Sequence, residues 1–287
     1  MMELAPLRSF LAIAREGHMT RAAKTLHLTQ PAVSAQIARL EDDLGTPLFH
    51  RTPKGMALTE AGVLFRHHVE EAFLWLDDGR TAVQGLSGLT SGSLAIGAGA
   101  TATTYLLPPL LRVFHERHPG IQIQVREQGS QAIVDAVLAG TLDLGVVTLP
   151  LDPQARLTAT PWIEDELRLI VPPNHPLADQ HTYRMRDLNG QPLVLFEAGS
   201  AVRLLIDQAL SDANAEVEIV MELRSIESIK QMVAQGIGAA FVSQHALPDG
   251  EGLTSSRSRL QRTLAAVHRS DRDPTAAATA FLALMAG

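Results

Sequence analysis

Between Thr20 and Gly45 the apolar residues recur at helical spacing. Val33, Ile37, Leu40 and Leu44 fall three or four apart, so one face of a helix starting near Thr29 turns inward. The preceding RAAKTL, Arg21 to Leu26, predicts a shorter helix with Thr20 placed to cap its first turn. His27 and Leu28 form the turn between them, Thr29 caps the second helix, and Pro31 is tolerated in its first turn. Two short helices joined this tightly predict a helix-turn-helix, the shape that lays one helix in a DNA groove. Gln30, Ser34, Gln36 and Arg39 lie off the apolar stripe. Their amide, hydroxyl and guanidinium groups are the chemistry that reads base edges and phosphates.

Pro47 to Thr59 then reads as two short strands around a Pro-Lys-Gly turn, a wing with Arg51 and Lys54 placed to touch the DNA backbone or a minor groove. Thr59 to about Leu86 predicts one long helix. Leu64, Phe65, His68, Ala72, Trp75, Leu76 and Val83 form a stripe too wide for a lone surface helix, so its natural partner is the same helix of a second chain. Phe73 is a further candidate for that contact, and the plainer alternative is that the stripe packs on its own domain. Small residues around 88–92 predict a hinge.

From Ser93 strands and helices alternate. LAIGAG, IQIQVREQ and LDLGVVTL are separated by helical patterns at Tyr105–Arg117 and Ala132–Ala139. A second set, ELRLIVP, PLVLFE, EVEIVME and AAFVS, carries helices near Val202–Ser211 and Ile226–Gln235, and the chain closes with TLAAVHR and a helix over Thr275–Met285. This predicts an α/β fold with a parallel-type sheet, in two lobes linked near Thr160–Trp162 and Ser258–Gln261 with a cleft between them. The organisation expected is a head at 1–58, a linking helix at 59–87, a hinge at 88–92 and a cleft domain at 93–287. Its first lobe covers about 93–161 and 262–287, its second about 162–261.

Composition sharpens the picture at three points. The 287 residues carry a net charge of −7, which argues mildly against nucleic acid. Yet residues 1–58 hold seven basic side chains against five acidic ones, a balance of +2, and the remainder supplies −9. A head so weakly basic predicts that two or more copies must act together for useful DNA affinity. The absence of cysteine excludes disulfides, zinc-thiolate sites and thiol redox sensing. The opening Met1-Met2-Glu3-Leu4 is no signal peptide and no apolar run is long enough to span a membrane, so a cytoplasmic location is expected.

The ordered series LRSFLAIAREGHMTRAAKTLHLTQPAVSAQIARLEDDLGTPLFHRTPKGMALTEAG, from Leu7 to Gly62, resembles the DNA-binding domain of the LysR-type transcriptional regulators without a gap. GAGATATTYLLPPLLRVFHERHPGI and LAGTLDLGVV resemble, more loosely, that family's effector domain, which shares the fold of periplasmic binding proteins. The resemblance implies a winged helix-turn-helix, a dimerising linker helix and a two-lobed effector domain. It implies double-stranded promoter DNA, a homodimer or homotetramer and RNA polymerase as partners, with a small effector and no cofactor. Thr29, Gln30, Pro31, Ser34 and Gln36 would meet the DNA groove, and Arg39, Arg51 and Lys54 its phosphates. Many members carry arginine where Ala35 stands, which moves base reading here toward DNA shape and the wing.

The cleft chemistry follows from a strand feeding a helix start, where free backbone N–H groups favour an anion. Ala100, Thr101 and Thr103 occupy that start, where the family holds the anionic part of its effector, although either threonine can equally serve as a plain cap. Gln128, Gly129, Ser130, Thr148, Ala198, Gly199, Ser200, Val242 and Ser243 sit at strand ends facing the same crevice. Ser200 resembles the second lobe's own helix start, and Arg203 is a candidate countercharge as readily as a surface arginine.

A competing reading is an enzyme, because Gly97-x-Gly99-x-x-Ala102 fits a dinucleotide fingerprint with Glu127 as the ribose ligand. Pro108 and Pro109, expected to cut the next helix short, weigh against it, as does the DNA-binding head. A periplasmic solute-binding protein would share the cleft but need a secretion signal. His67 and Glu70 have metal-site spacing only once, and a solvated face explains them better, so no metal site is expected. No G-x-S-x-G elbow is present, and Asp143 reads as a strand-start residue, so no catalytic residue is expected.

Overall fold

The computed structural model describes residues 3–53, 55–85, 91–152, 156–257 and 259–287. The chain divides into two compact units, Met1–Arg80 and Thr81–Gly287. Lys54 and most of the expected hinge lie outside the described residues.

The first unit opens with a helix the apolar pattern above did not predict, α1 (Leu4–Glu16), followed by α2 (Met19–Thr25) and α3 (Gln30–Leu44). Helix α2 begins before Thr20, and His18 holds its N-cap position. Thr20 is therefore no cap, and its hydroxyl instead donates to Gln30 Oε1 at 3.2 Å. The two-stranded wing follows as β1 (Phe49–Thr52) and β2 (Gly55–Leu58), paired antiparallel from Phe49↔Leu58 to Thr52↔Gly55. Gly55 has φ +128°, and a Cβ there would collide with Gly17 O and the His18 ring. That close approach pins the wing, because Met56 N donates to Gly17 O at 2.8 Å. The last element, α4 (Glu60–Gly85), starts where Thr59 Oγ1 accepts the Gly62 N–H at 3.0 Å. The core gathers on Phe10, fully buried, with its ring 5.3 Å from those of both Phe49 and Phe65.

The second unit begins with β3 (Gly92–Ala98) and a helical run over 100–117, which is π-helical at Ala102–Leu106 and regular in α5 (Leu107–Arg117). Pro108 and Pro109 do not cut this helix short. They sit in the first regular turn after the widened one, where the proline rings and their missing N–H groups are accommodated. Then come β4 (Ile121–Glu127), α6 (Ser130–Leu138), β5 (Leu144–Thr148) and β6 (Leu157–Ile170). The chain continues through β7 (Thr182–Tyr183), β8 (Pro192–Phe196), α7 (Ala201–Asp212), β9 (Glu218–Leu223), α8 (Ile226–Ala234), β10 (Ala240–Ser243) and β11 (Thr254–Ser255). It ends with β12 (Gln261–Arg269) and α9 (Ala276–Met285).

Two lobes form around separate cores. Leu94, Ile96, Phe114 and Phe281 belong to the first, and Leu193, Val194, Ile206, Ile229 and Phe241 to the second. The main sheet has the order β10-β6-β12-β5-β3-β4 and is mixed rather than purely parallel. Strand β3 pairs parallel with β4 and β5, whereas β12 runs antiparallel to β5 and β6, and β6 antiparallel to β10. The expected link at Thr160–Trp162 is not a loop. It is the middle of the 14-residue strand β6, whose register with β12 shifts at Leu264/Ala265 so that Trp162 is passed over. Gly97 and Gly145 lie side by side on β3 and β5. A Cβ at Gly97 would strike Leu142 and one at Gly145 would strike Ile133, so the pair lets α6 close on the sheet.

Candidate functional site

Helix α3 presents its apolar face, Val33, Ile37 and Leu40, to the head core. Gln30, Pro31, Ser34, Ala35 and Arg39 remain exposed. Thr29 caps the helix, its Oγ1 accepting the Ala32 N–H at 3.4 Å. Gln36 does not belong with the outward residues. It is half-buried and its Oε1 accepts the Ser9 hydroxyl at 2.5 Å, tying α3 to α1, because its position lies one step from the inward stripe. Arg39 pairs with Glu3 at 3.0 Å, both side chains being exposed. Such a pair is worth only about 0–1 kcal/mol and yields readily to a phosphate. Arg51 stands exposed on β1. Glu41, counted against the head's charge, turns its Oε1 to the backbone N–H groups of Leu48 and Phe49 at 2.7 and 3.2 Å and so positions the wing.

Helix α4 separates the residues that its sequence merged into one stripe. Ala61, Phe65, Val69 and Phe73 pack on the head's own core, with the Arg8 guanidinium 5.8 Å from the Phe73 ring centroid. Phe65 and Phe73 thus spend much of their surface on the head's own core. Leu64, Trp75 and Leu76 remain 65%, 57% and 52% exposed, with Ala72 also exposed, which leaves a second apolar stripe outward.

Within the second unit a cavity of about 460 Å³ lies between the lobes. Ala100, Thr101, Gln128, Gly129, Ser130, Thr148, Gly199, Ser200 and Ser243 all line it. Thr103 does not, because its hydroxyl turns back to the carbonyls of Ala98 and Gly99 at 3.3 and 3.1 Å. Nor does Arg203. It is buried under α7, donating to Asp207 at 2.8 Å, Glu222 at 2.6 Å and the Phe196 carbonyl at 2.9 Å. An arginine so sequestered is a strut for its own lobe.

Four helix starts meet the cavity wall, at Ala100, Ser130, Ala201 and Ile226. The hydroxyls among them share one arrangement. Ser130 Oγ accepts the Thr148 N–H at 3.2 Å, and Ser200 Oγ the Arg203 N–H at 3.2 Å. Thr101 Oγ1 accepts Arg262 Nη2 at 2.8 Å, and Thr148 Oγ1 accepts Nη1 at 3.4 Å. Each oxygen is engaged as an acceptor, and no described protein group takes the hydrogens. Each hydroxyl therefore keeps its hydrogen as a donor, together with one further lone pair.

Three groups here escaped the sequence reading. Arg262, on β12, lines the cavity at 8% exposure. Its Nε and Nη2 meet Asp165 Oδ2 at 2.8 and 2.7 Å, and Asp165 is fully buried. Ser243 donates to Asp165 Oδ1 at 2.6 Å and accepts the His245 N–H, so its hydroxyl is committed to that buried pair. Arg262 stands at the polar start of β12, between Gln261 and Thr263, where nothing in the local pattern sets it apart. Tyr105 is the third. Thrown outward by the π-helical turn of the first lobe, its ring packs on the core of the second and its phenol donates to Glu227 on α8. Burial, and secondarily that bond, pushes the phenol above its ordinary pKa. The same bond, then Lys230 at 3.1 Å, holds the Glu227 carboxyl below its own.

The comparison with known proteins matches both units. Residues 4–63 match the model of the bacterial regulatory helix-turn-helix protein, lysR family, and residues 87–287 that of the LysR substrate binding domain. The chain belongs to the LysR family of transcriptional regulators.

Among relatives, a probable RuBisCO transcriptional regulator of Synechocystis sp. is 39% identical over 249 residues, covering 85% of this chain and 72% of that protein. A full-length OxyR variant from Pseudomonas aeruginosa superposes with a TM-score of 0.73 at 25% identity, covering 100% of this chain and 94% of that one. The CcmR regulatory domain from Synechocystis, solved in complex with 2-PG, gives 0.62 at 27% identity over 68% of this chain and 97% of that one. Membership of this family sets aside the dehydrogenase reading, since these proteins are transcriptional regulators and not enzymes. The geometry of this LysR-type regulator agrees, because Gly97, the first glycine of the apparent fingerprint, is accounted for by the packing of Leu142 and Ile133. No described helix is long and apolar enough to cross a membrane.

Proposed function

We propose that this LysR-type regulator binds promoter DNA as an oligomer and that a small anion in the interlobe cleft controls it. The observation that carries the anion is the donor surplus. The hydroxyls of Thr101, Ser130, Thr148 and Ser200 accept protein bonds and keep their hydrogens, beside four helix starts with free N–H groups. Donors placed beside helix starts suit a ligand made of acceptors, a carboxylate or phosphate. Gln128 and the backbone of Gly129, Gly199 and Ala100 also line the cavity, as do two carboxylates, Glu127 and Glu197, the second of them paired with Arg224. That a relative's regulatory domain was solved with 2-PG supports a small ligand in this domain.

On the DNA side, Gln30, Pro31 and Ser34 would meet base edges, with Thr29, Arg39, Arg51 and Lys54 at phosphates. The outward stripe Leu64, Ala72, Trp75 and Leu76 would pair two chains, joining two weakly basic heads into one reader of an inverted repeat. RNA polymerase is the further partner such a regulator would meet at a promoter, and the cytoplasm its place of work. The names of the relatives make RuBisCO genes the first promoters to try.

Thermal melting of the full chain against inorganic phosphate, phosphoglycolate and short carboxylates tests the ligand. A bound anion raises the midpoint in step with the logarithm of its concentration. Midpoints unmoved by every anion would end the anionic reading. Gel retardation on the upstream region tests the DNA half, and no preference over random DNA at any salt would end it.

A further inference from the structure

We propose that Arg262 contacts the effector directly through Nη1 and makes the cleft prefer an acidic group to its neutral isostere; this rests on the anion reading of the same cleft. A guanidinium has five N–H donors. On one side Nε and Nη2 are clamped to Asp165 Oδ2 at 2.8 and 2.7 Å, and Nη2 also reaches Thr101 Oγ1 at 2.8 Å. On the other side Nη1 has a single described partner, Thr148 Oγ1, at 3.4 Å. The under-used nitrogen therefore belongs to a side chain that lines the cavity while being 8% exposed.

The clamp fixes the direction of that nitrogen. Asp165 is fully buried and its second oxygen is bonded by Ser243 at 2.6 Å, so the plane of the guanidinium is held from behind on β6 and β10. Asp165 and Ser243 are positioning residues in this arrangement. The cavity's other basic side chain, Arg224, is paired to Glu197 at 2.5 Å and is 84% exposed, where solvent screens it. A ligand oxygen reaching the hydroxyls of Thr101 and Thr148 lies beside Nη1. A charged oxygen there adds an ion pair to the hydrogen bond in a buried setting, whereas a carboxamide oxygen accepts from the guanidinium without a charge of its own.

The test uses the full chain and isothermal titration with phosphoglycolate, glycolate and glycolamide. In wild-type protein the acids bind more tightly than the amide. Arg262→Lys keeps a positive charge for Asp165 but removes Nη1, and the paired exchange Asp165→Asn with Arg262→Gln removes both charges while keeping hydrogen-bonding groups. Circular dichroism and the melting midpoint establish that each variant is folded. The expected result is at least a tenfold loss for phosphoglycolate in both, with the acid-over-amide ratio reduced. Nitrogen-15 spectra of the arginine side chains give an independent readout: the Arg262 Nη signal, identified by its absence in Arg262→Lys, shifts when phosphoglycolate is added. Wild-type binding with an unmoved Nη signal, or folded variants that bind within twofold of wild type, overturns the contact and leaves the anion reading standing. Failure of the wild type to bind phosphoglycolate, phosphate or any short carboxylate overturns both.

Discussion

On the reading proposed above, the head and the cleft domain both face anions, and they do so by opposite means. Helix α3 and the wing offer exposed, flexible side chains, with Arg39 held only by the solvated Glu3 at 3.0 Å and Arg51 free in solvent. The cleft offers hydroxyls and helix starts fixed by neighbouring bonds, with its one buried arginine matched by a buried aspartate. The difference fits the partners. A polyanion of uniform charge rewards many weak, movable contacts and the release of its counterions. A small ligand rewards few donors held in place before it arrives.

The comparison breaks most sharply if the two units do not fold separately. Phe10→Ala empties the centre of the head core, where Phe49 and Phe65 pack at 5.3 Å, and should cost that unit about 3–5 kcal/mol. Calorimetry should then show an early transition for the head and an unmoved one for the cleft domain. A single transition displaced as a whole would mean the units are one cooperative body.

Salt gives the next largest contrast. With two heads making about six phosphate contacts, the slope of log affinity against log salt should lie near −5, so DNA affinity drops about a thousandfold from 50 to 200 mM. Ligand affinity in the cleft should change less than about threefold over the same range, since buried donors are little screened. Comparable slopes in retardation and titration experiments would erase the distinction.

Smaller is the effect of one hydroxyl. Thr101→Val removes a cleft donor and should weaken anion binding by about fivefold to tenfold, a net hydrogen bond's worth. Thr103→Val, two residues on, should leave it unchanged because that hydroxyl faces Ala98 and Gly99. Equal losses in titration would mean the helix start, not the hydroxyl, matters.

The least effect is expected at Tyr105. Glu227 titrates below its ordinary range because of the Tyr105 bond, so the stabilisation is present above that range and disappears as pH falls through the lowered value. As pH falls below the ordinary glutamate range the melting midpoint of wild type should fall more steeply than that of Tyr105→Phe. Parallel curves would show that the bond contributes nothing measurable between the lobes.

The legible parts of the sequence were those where local pattern and burial agree. Val33, Ile37 and Leu40 marked a buried face, the Pro-Lys-Gly turn a wing, and strand ends a cleft. Errors arose where spacing left two faces open. Phe65 and Leu64 are neighbours on α4, yet one enters the core and the other is 65% exposed, which depends on α1 supplying Phe10. Gln36 was misplaced for the same reason, its partner Ser9 lying on a different helix. Arg203 and Arg262 look alike as letters. Only the fold, which joins Arg262 to Asp165, 97 positions away in sequence, and Asp165 to Ser243, 78 positions away, shows which arginine lines the cleft.

Strand β6 passes from one lobe to the other without interruption, paired with β12 over 157–166 except at Trp162 and with β10 over 167–170. Two strands bonded in this way resist sliding and stretching but yield to twist, as a flat spring does. Trp162 and Ile163 still pack on the first core and Leu167 on the second, so a torsion between the lobes would twist the strand where it leaves β12 for β10. The ladders on either side limit that twist, which makes the joint between the lobes a stiff one.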